Sequence, residues 1–200
     1  MRRPDLDPTA HVSLPAASAG MGGSAGRLIT PLRADLIDQV ADLMGLGEPY
    51  VTVRGHSDYW LYSALFASTC PVAVDDGTVL GAVIAMRSQD QPADVYVQDA
   101  VVHPDHRRRG VATTLVASIA AQARIWGCRR LFLTCAPGNT VALAAWQQLG
   151  FRNLPGDATV GGVHVISDFK GPGRDRAVFQ LDLPTTAQTQ QPDRTAGADA

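Results

Sequence analysis

The chain has little cysteine and no long apolar run, and both shortages narrow what it can be. Three cysteines occur in 200 residues, at Cys70, Cys128 and Cys135. An odd number without close spacing forms neither a disulfide framework nor a zinc site. We therefore expect reduced thiols, no metal and a cytoplasmic protein. No stretch approaches the roughly 20 apolar residues of a membrane-spanning helix, and no signal-peptide pattern is found.

An excess of either charge is also missing. Lysine and arginine number 17 together, and aspartate and glutamate number 19, which gives a formal net charge of −2. Such a balance gives no reason to expect a nucleic-acid partner. Hydrophobic residues make up 46% of the chain, which is ordinary for a globular protein and, at this length, predicts one domain with a sizeable core.

Large apolar residues are scarce at both ends of the chain. Residues 1–27 are rich in Ala, Gly, Ser and Pro, and residues 184–200 are rich in Gln, Thr, Asp and Ala. Segments of such composition bury too little apolar surface to fold. We therefore predict a disordered N-terminal arm (1–27), a folded domain (28–183) and a disordered C-terminal tail (184–200).

Between these ends, helix and strand patterns follow one another in a mixed order. Turn signals and β-branched runs predict strands, including a hairpin with its turn at Asp75-Asp76-Gly77 and a strand over Val95–Val102. Apolar residues with helical spacing predict four helices. These are expected to begin at Asp35, at Ser57 or Asp58, near Val111 and at Asn139. The predicted order, βααβββαβαββ, belongs to the mixed α/β class.

The most informative segment joins the Val95–Val102 strand to the helix near Val111. The first turn of a helix presents unpaired backbone N–H groups and the positive end of the helix dipole, which together favour anions. The residues at this entrance are basic, small or hydroxyl-bearing: Arg107, Arg108, Arg109, Gly110, Ala112, Thr113 and Thr114. A pyrophosphate suits such an arrangement. An ordinary strand-to-helix connection with solvated arginines would produce the same pattern.

Two motifs resemble the signatures of a known family. The run Arg107-Arg108-Arg109-Gly110-Val111-Ala112 fits the Arg/Gln-x-x-Gly-x-Gly/Ala signature of the GNAT (GCN5-related) N-acetyltransferases. A second run, from Asn139 to Leu149-Gly150-Phe151, resembles that family's second signature. The spacing and the predicted element order also agree from Leu28 to Leu183. The resemblance implies an α/β GNAT fold, with a mixed, mostly antiparallel central sheet and helices on both faces.

The resemblance also implies that acetyl-CoA is the co-substrate. Its pantetheine arm would pair with the splayed strand Ala100-Val101-Val102, held by backbone groups of Ala100 and Val102. Asn139 would contact the cofactor, and it could equally be a helix N-cap. The pyrophosphate would bind backbone amides beside Arg107, at Arg108, Arg109, Gly110, Val111, Ala112 and Thr113.

In this family a neutral amine attacks the thioester, so a general base is expected. Many members carry a Glu-Asp pair in the fourth strand, and this chain has Gln98-Asp99 instead. Asp99 is therefore the candidate catalytic residue, either as the base or as a carboxylate that only orients the substrate cation. Many members also have a tyrosine that protonates the leaving thiolate. That position is Trp146 here, so the proton would come from water, another hydroxyl or Cys135.

Acceptor-binding parts of this fold come from the first two helices, their connecting loop and the C-terminal strands. Glu48 and Asp58 could bind a cationic amine, Arg54 could bind a carboxylate, and Tyr62 lies on the same second helix. Ordinary surface charges are the alternative interpretation. The Val160–Arg176 stretch is a further candidate for this role.

A closer resemblance, carried by Tyr59-x-x-Tyr62, Phe66 and Thr69-Cys70, is to diaminobutyrate acetyltransferases. It implies acetylation of a primary amine on a small amino-acid-like or diamine metabolite. The alternatives are an aminoglycoside or other antibiotic amine, a protein N-terminus, or a non-catalytic acyl-CoA sensor. The expected partner is a small-molecule amine, without nucleic acid or membrane. Members of the family are often homodimers, so a homodimer is a further expectation.

Overall fold

The computed structural model describes residues 27–184, so the predicted arm and tail lie outside the described residues apart from Arg27 and Pro184. The α-helices within this range are α1 (Ile37–Gly45), α2 (His56–Leu65), α3 (Val111–Ile125) and α4 (Thr140–Gln148). Its strands are β1 (Leu28–Pro31), β2 (Pro71–Asp75), β3 (Thr78–Arg87), β4 (Asp94–Val102), β5 (Arg130–Cys135), β6 (Arg152–Asn153), β7 (Ala158–Val160), β8 (Val163–Val165) and β9 (Ala177–Asp182).

Seven strands form one central sheet in the order β1-β2-β3-β4-β5-β9-β6. Neighbouring strands in this sheet are antiparallel except for β4 and β5, which run parallel. A parallel pair requires a crossover connection, and α3 supplies it between these two strands. The predicted mixed, mostly antiparallel sheet is thereby confirmed.

Helices cover both faces of the sheet, as expected. On one face, α1 and α2 pack through side chains such as Val40, Met44 and Tyr59. On the other face, α3 and α4 pack through Leu115, Ile119 and Leu143. Burial of these apolar side chains is the main favourable contribution to folding. We refer to the two clusters as the α1/α2 core and the α3/α4 core.

The predicted helix starts needed small corrections. The first helix opens with a 3-10 turn at Ala34–Leu36 before α1 begins. The second was expected to be capped by Ser57 or Asp58, but its N-cap is the extended residue Gly55. Asp58 lies instead inside the first turn, where its negative charge interacts favourably with the helix dipole.

The sequence analysis also missed the two-stranded sheet of β7 and β8. These strands have three residues each, and most of their side chains are exposed, so no apolar alternation marks them. The expected hairpin between β2 and β3 is present, with Asp76 and Gly77 at φ angles of 45° and 78°. No helix within residues 27–184 is long and apolar enough to cross a membrane.

Candidate active site

Strand β4 contains one extra residue relative to β3. Val97 and Asp99 pair with consecutive residues of β3, so Gln98 forms a β-bulge. The bulge reverses the alternation of the strand: Val97 belongs to the α3/α4 core, whereas Val101 belongs to the α1/α2 core. Asp99 lies beyond the bulge and two residues before Val101, so both side chains are on the same face of the strand. The Asp99 side chain consequently points toward α1 and α2.

Strands β4 and β5 separate at this bulge. Their last paired residues are Val97 and Leu133, although β4 continues to Val102 beside β3 and β5 continues to Cys135 beside β9. The splay expected from the family resemblance is therefore present. It opens a cleft between the two strands, whose lining includes Tyr50, Asp99, Ala100, Asn139, Trp146, Lys170 and Arg176.

A buried ion pair lies beside this cleft. The Asp99 carboxylate accepts a hydrogen bond from the guanidinium of Arg54 in the α1–α2 loop. Burial raises the pKa of Asp99, and Arg54 lowers it by a smaller amount, so the pKa stays above its ordinary value. Burial also lowers the pKa of Arg54, but Asp99 together with Tyr62 and Tyr59 raises it by more, so it lies above its ordinary value. Both pKa values are therefore raised, by burial at Asp99, whose side chain is 7% exposed, and by neighbouring groups at Arg54, whose side chain is 24% exposed.

The remaining predicted acceptor residues fall into two groups. Tyr62 is buried behind Arg54, in edge-on contact with Tyr59, whose hydroxyl accepts a hydrogen bond from the Arg54 amide. Glu48 and Asp58 are exposed and do not line the cleft. The structure thus brings Arg54 and Tyr62 to the Asp99 side of the sheet, and substrate binding by all four residues stays a prediction.

The connection from β4 to α3 makes a tight turn just before the first residue of the helix. Arg108 and Gly110 adopt left-handed conformations, at φ angles of 58° and 76°, and Gly110 is the N-cap of α3. The amide of Thr114 donates to the carbonyl of Gly110. The amides of residues 111–113 therefore precede the helix's own hydrogen bonding and point out of its first turn.

The arginines around this entrance have different roles. The Nε of Arg107 donates to the Val102 carbonyl at 3.2 Å, which ties the loop back to β4. Arg108 and Arg109 are exposed. Arg27, which the sequence analysis assigned to the N-terminal arm, donates to the Arg109 carbonyl at 3.0 Å. No motif marks Arg27, and only the fold brings it to this loop.

The helix α4 contributes one wall of the cleft. Asn139 caps this helix, because its Oδ1 accepts a hydrogen bond from the Ala142 amide at 3.1 Å. The capping interpretation of Asn139 is confirmed, and the residue also lines the cleft. Trp146 packs edge-on against Phe151 with 5.1 Å between ring centroids. Burial raises the pKa of Cys135 to about 11, so this thiol keeps its proton at neutral pH.

Lys170 and Arg176 line the cleft, and both lie in the Val160–Arg176 stretch given above as a candidate for acceptor binding. Lys170 donates to the Tyr96 hydroxyl at 2.9 Å, and that hydroxyl lies 3.2 Å from Thr134 Oγ1. Tyr50 reaches across to the Gly138 carbonyl at 3.0 Å. Within residues 27–184, no group of three or more His, Cys, Asp or Glu side chains is placed to hold a metal ion.

Comparison with known proteins identifies the family. Residues 42–151 match the model of the acetyltransferase (GNAT) family. The chain belongs to this family. The splay of β4 from β5 and the glycine at the start of α3 lie where the resemblance had placed the cofactor.

Three curated relatives are similar over part of their length. L-2,4-diaminobutyric acid acetyltransferase of Nocardia farcinica is 27% identical over 123 residues, covering 60% of this chain and 64% of the relative. Aminoglycoside N(6')-acetyltransferase type 1 of Salmonella typhimurium is 30% identical over 87 residues, covering 40% of this chain and 60% of the relative. N-alpha-acetyltransferase MAK3 of Arabidopsis thaliana is 32% identical over 130 residues, covering 64% of this chain and 63% of the relative. The chain therefore spans less than two thirds of each.

A solved structure supports the same fold. Diaminobutyrate acetyltransferase EctA from Paenibacillus lautus, in complex with L-2,4-diaminobutyric acid and coenzyme A, superposes with a TM-score of 0.63. The match covers 78% of this chain and 95% of that chain, at 20% sequence identity. At this identity the likeness establishes the GNAT fold and nothing about the acceptor.

Proposed function

We propose that the protein is an N-acetyltransferase that moves the acetyl group of acetyl-CoA to a primary amine of a small amino-acid-like or diamine metabolite. The observation that carries this proposal is the cleft between β4 and β5, which has a buried carboxylate at one side and the α3 entrance at the end of β4. Membership of the GNAT family supports acetyl-CoA as the donor.

The donor would lie along the open edge of β4. Its pyrophosphate would accept hydrogen bonds from the backbone amides at the start of α3, with residues 107–109 adding positive charge. The pantetheine arm would then run beside Ala100 toward the cleft. Arg107 already donates to the Val102 carbonyl, so Ala100 is the better candidate to hold the arm.

The acceptor amine would enter from the Asp99 side of the sheet. An amine is mostly protonated at neutral pH, so it must lose a proton before or during its attack on the thioester carbon. Gln98 has no basic group, and Asp99 is the carboxylate that lines the cleft. We assign Asp99 the role of accepting this proton, directly or through water, and its raised pKa suits that task.

Collapse of the tetrahedral intermediate releases the coenzyme A thiolate. Trp146, which stands where many GNAT enzymes have tyrosine, cannot supply a proton and would form a wall of the acetyl pocket. The protonated Cys135 thiol lines the same cleft. Proton return to the leaving group would then come from water, from a hydroxyl of the lining or from this thiol.

Release of free thiol from acetyl-CoA tests the proposal. The panel comprises 2,4-diaminobutyrate, ornithine, lysine, polyamines, an aminoglycoside and a short peptide, which separate the acceptor classes of the three curated relatives. We expect turnover with at least one small amine. Because a general base typically contributes about 100-fold to 10,000-fold, Asp99→Asn should lower kcat within that range.

The control variant is Asp38→Asn, which changes an exposed carboxylate on α1 and should leave turnover unchanged. Binding of acetyl-CoA with no turnover on any amine would contradict the proposed enzyme and favour an acyl-CoA sensor. Turnover confined to the aminoglycoside or the peptide would instead overturn the assignment of the acceptor. Full activity of Asp99→Asn would remove Asp99 from the catalytic role.

A further inference from the structure

The acceptor side of the cleft carries more positive than negative charge. Among residues 27–184, Asp99 is the only carboxylate that lines the cleft, and Arg54 already pairs with it. Lys170 and Arg176 also line the cleft. Two cations therefore face an opening in which the single negative charge is already compensated.

Neither of these two cations forms an ion pair within residues 27–184. The carboxylates nearest to them in sequence are committed to the backbone. Asp168 accepts a hydrogen bond from the Gly173 amide at 2.6 Å, and Asp175 accepts one from the Asp168 amide at 3.0 Å. These carboxylates shape the loop, and they form no ion pair with its cations.

The β8–β9 loop holds both cations in place. Ile166 and Arg176 exchange two backbone hydrogen bonds, at 2.9 and 3.1 Å, that close the base of the loop. The Lys170 amide donates to the Arg174 carbonyl at 3.2 Å. The Lys170 ammonium group is fixed in turn by its 2.9 Å hydrogen bond to the Tyr96 hydroxyl. An ammonium group has three donors, so two remain for a ligand.

Lys170 is also the only lysine in the 200-residue sequence. An ammonium group with no carboxylate partner, held at the wall of a cleft, is a favourable contact for an anion. One terminal nitrogen of the Arg176 guanidinium donates to the Asp175 carbonyl at 2.7 Å. Its remaining N–H groups can match a carboxylate in geometry.

We propose that Lys170 and Arg176 bind a carboxylate of the acceptor, so that the substrate is an amine that also carries an acid group. The inference rests on the proposed function in one respect, namely that this cleft is where the acceptor binds. A carboxylate held by the β8–β9 loop leaves the amine of the same molecule to face Asp99. A polycation such as an aminoglycoside would meet two uncompensated like charges in the same place.

Matched amine pairs, measured as binding to the complex with coenzyme A, test the inference without requiring any turnover. Each pair differs only by the carboxylate: 2,4-diaminobutyrate with 1,3-diaminopropane, ornithine with putrescine, and lysine with cadaverine. We expect isothermal titration to give a Kd that is about tenfold lower, or lower still, for at least one acid-bearing member than for its partner, as a charge-assisted contact would give.

The variants Lys170→Met and Arg176→Gln should weaken binding of the acid-bearing amine and so remove that preference. Binding of the partner diamine should not weaken, because each variant also removes a like charge from the cleft. In turnover assays they should raise KM for the acid-bearing amine more than they lower kcat. Arg174→Gln is the matched control, because Arg174 is exposed on the same loop and does not line the cleft. Circular dichroism and a thermal melt establish that each variant is folded.

The results separate this inference from the proposed function. A preference for the acid-bearing amine, lost in both variants, supports the inference even if no acetyl transfer is detected. Equal binding of the paired amines, tighter binding of the diamines, or no binding of any of the six overturns it. If putrescine is acetylated as fast as ornithine, the proposed enzyme activity is supported and the inferred carboxylate contact is contradicted.

Discussion

Asp99 and Arg54 set the electrostatics of the cleft at the scale of single residues. The carboxyl group is buried, which raises its pKa, and the adjacent guanidinium lowers it. As a base, Asp99 is active only in its ionised form, so kcat/KM should fall as the pH drops through the Asp99 pKa. A raised pKa places this acid limb at a higher pH than an ordinary aspartate would.

Replacing Arg54 by glutamine should move the acid limb to still higher pH. The substitution removes the nearest positive charge, so the pKa of Asp99 rises further and protonation begins earlier on acidification. The measurement is the pH profile of kcat/KM for both proteins. Arg33→Gln, which breaks the exposed ion pair with Asp35, should leave the limb unmoved, and an unmoved limb in Arg54→Gln would contradict the role of Asp99 as the base.

The acceptor residues show where sequence reasoning stopped. Arg54 was singled out as a carboxylate ligand, but its partner in the structure is Asp99. Lys170 lies 71 positions beyond Asp99 in the sequence, and its place beside Tyr96 depends on how the β8–β9 loop folds back. Charge alone does not distinguish such a residue from a solvated one.

At the scale of elements, the connection from β4 to α3 is the part on which cofactor binding depends. Gly110 has a left-handed backbone, and a Cβ added there would meet no other atom within 4 Å. The cost of an alanine at this position is therefore conformational, roughly 1–2 kcal/mol for a left-handed residue with a side chain. A phosphate bound at the helix entrance would also meet the added methyl group.

Gly110→Ala and Gly77→Ala form a matched pair. Gly77 lies in the β2–β3 turn at φ 78°, also with no atom within 4 Å of a built Cβ, so both variants should lose similar free energy of unfolding. Gly110→Ala alone should weaken acetyl-CoA binding, by about tenfold or more for loss of close backbone approach. Titration calorimetry measures this effect, and equal affinities in the two variants would place the pyrophosphate elsewhere.

Elements with strong periodic signals could be predicted, and those defined by register could not. The apolar spacing predicts a helix that begins near Val111, where α3 begins, and Asp75-Asp76-Gly77 predicts the β2–β3 hairpin. The bulge at Gln98 is a single unpaired residue in an otherwise regular β-branched run. Its presence depends on how β3 pairs with β4, which no property of β4 alone reveals.

At the scale of the whole molecule, the parallel pair of strands needs an anchor where it begins. Asp94 is buried at the start of β4 and accepts hydrogen bonds from Arg129 and Arg130 beside β5. Burial raises the pKa of Asp94, but the two arginines outweigh it, so the pKa lies below its ordinary value. These contacts hold β4 and β5 together at the start of the parallel pair, which ends at Val97 where the cleft opens.

Asp94→Asn should lower the free energy of unfolding at neutral pH by about 2 kcal/mol, as loss of hydrogen bonds to a charged group would. Because the folded-state pKa is lowered, this contribution is present above the unfolded pKa of about 3.9 and is lost as pH falls through the folded value. Urea melts at several pH values measure the effect. A constant difference between wild type and variant down to the lowest pH would contradict the ion pair as its source.

The chain belongs to the GNAT family, and its cleft carries Gln98 and Trp146 where the family resemblance led us to expect glutamate and tyrosine. We propose that this cleft transfers an acetyl group to a small amine and does more than bind acetyl-CoA. That claim depends on chemistry at one carbon atom, so it is best tested by following that carbon.

The most direct measurement uses acetyl-CoA labelled with carbon-13 in the acetyl group, incubated with the protein and 2,4-diaminobutyrate or ornithine, and analysed by mass spectrometry. The account predicts a labelled N-acetyl amine that accumulates with free coenzyme A and is strongly reduced in Asp99→Asn. Label that remains in acetyl-CoA or appears only as acetate, while acetyl-CoA binds normally, would contradict the account.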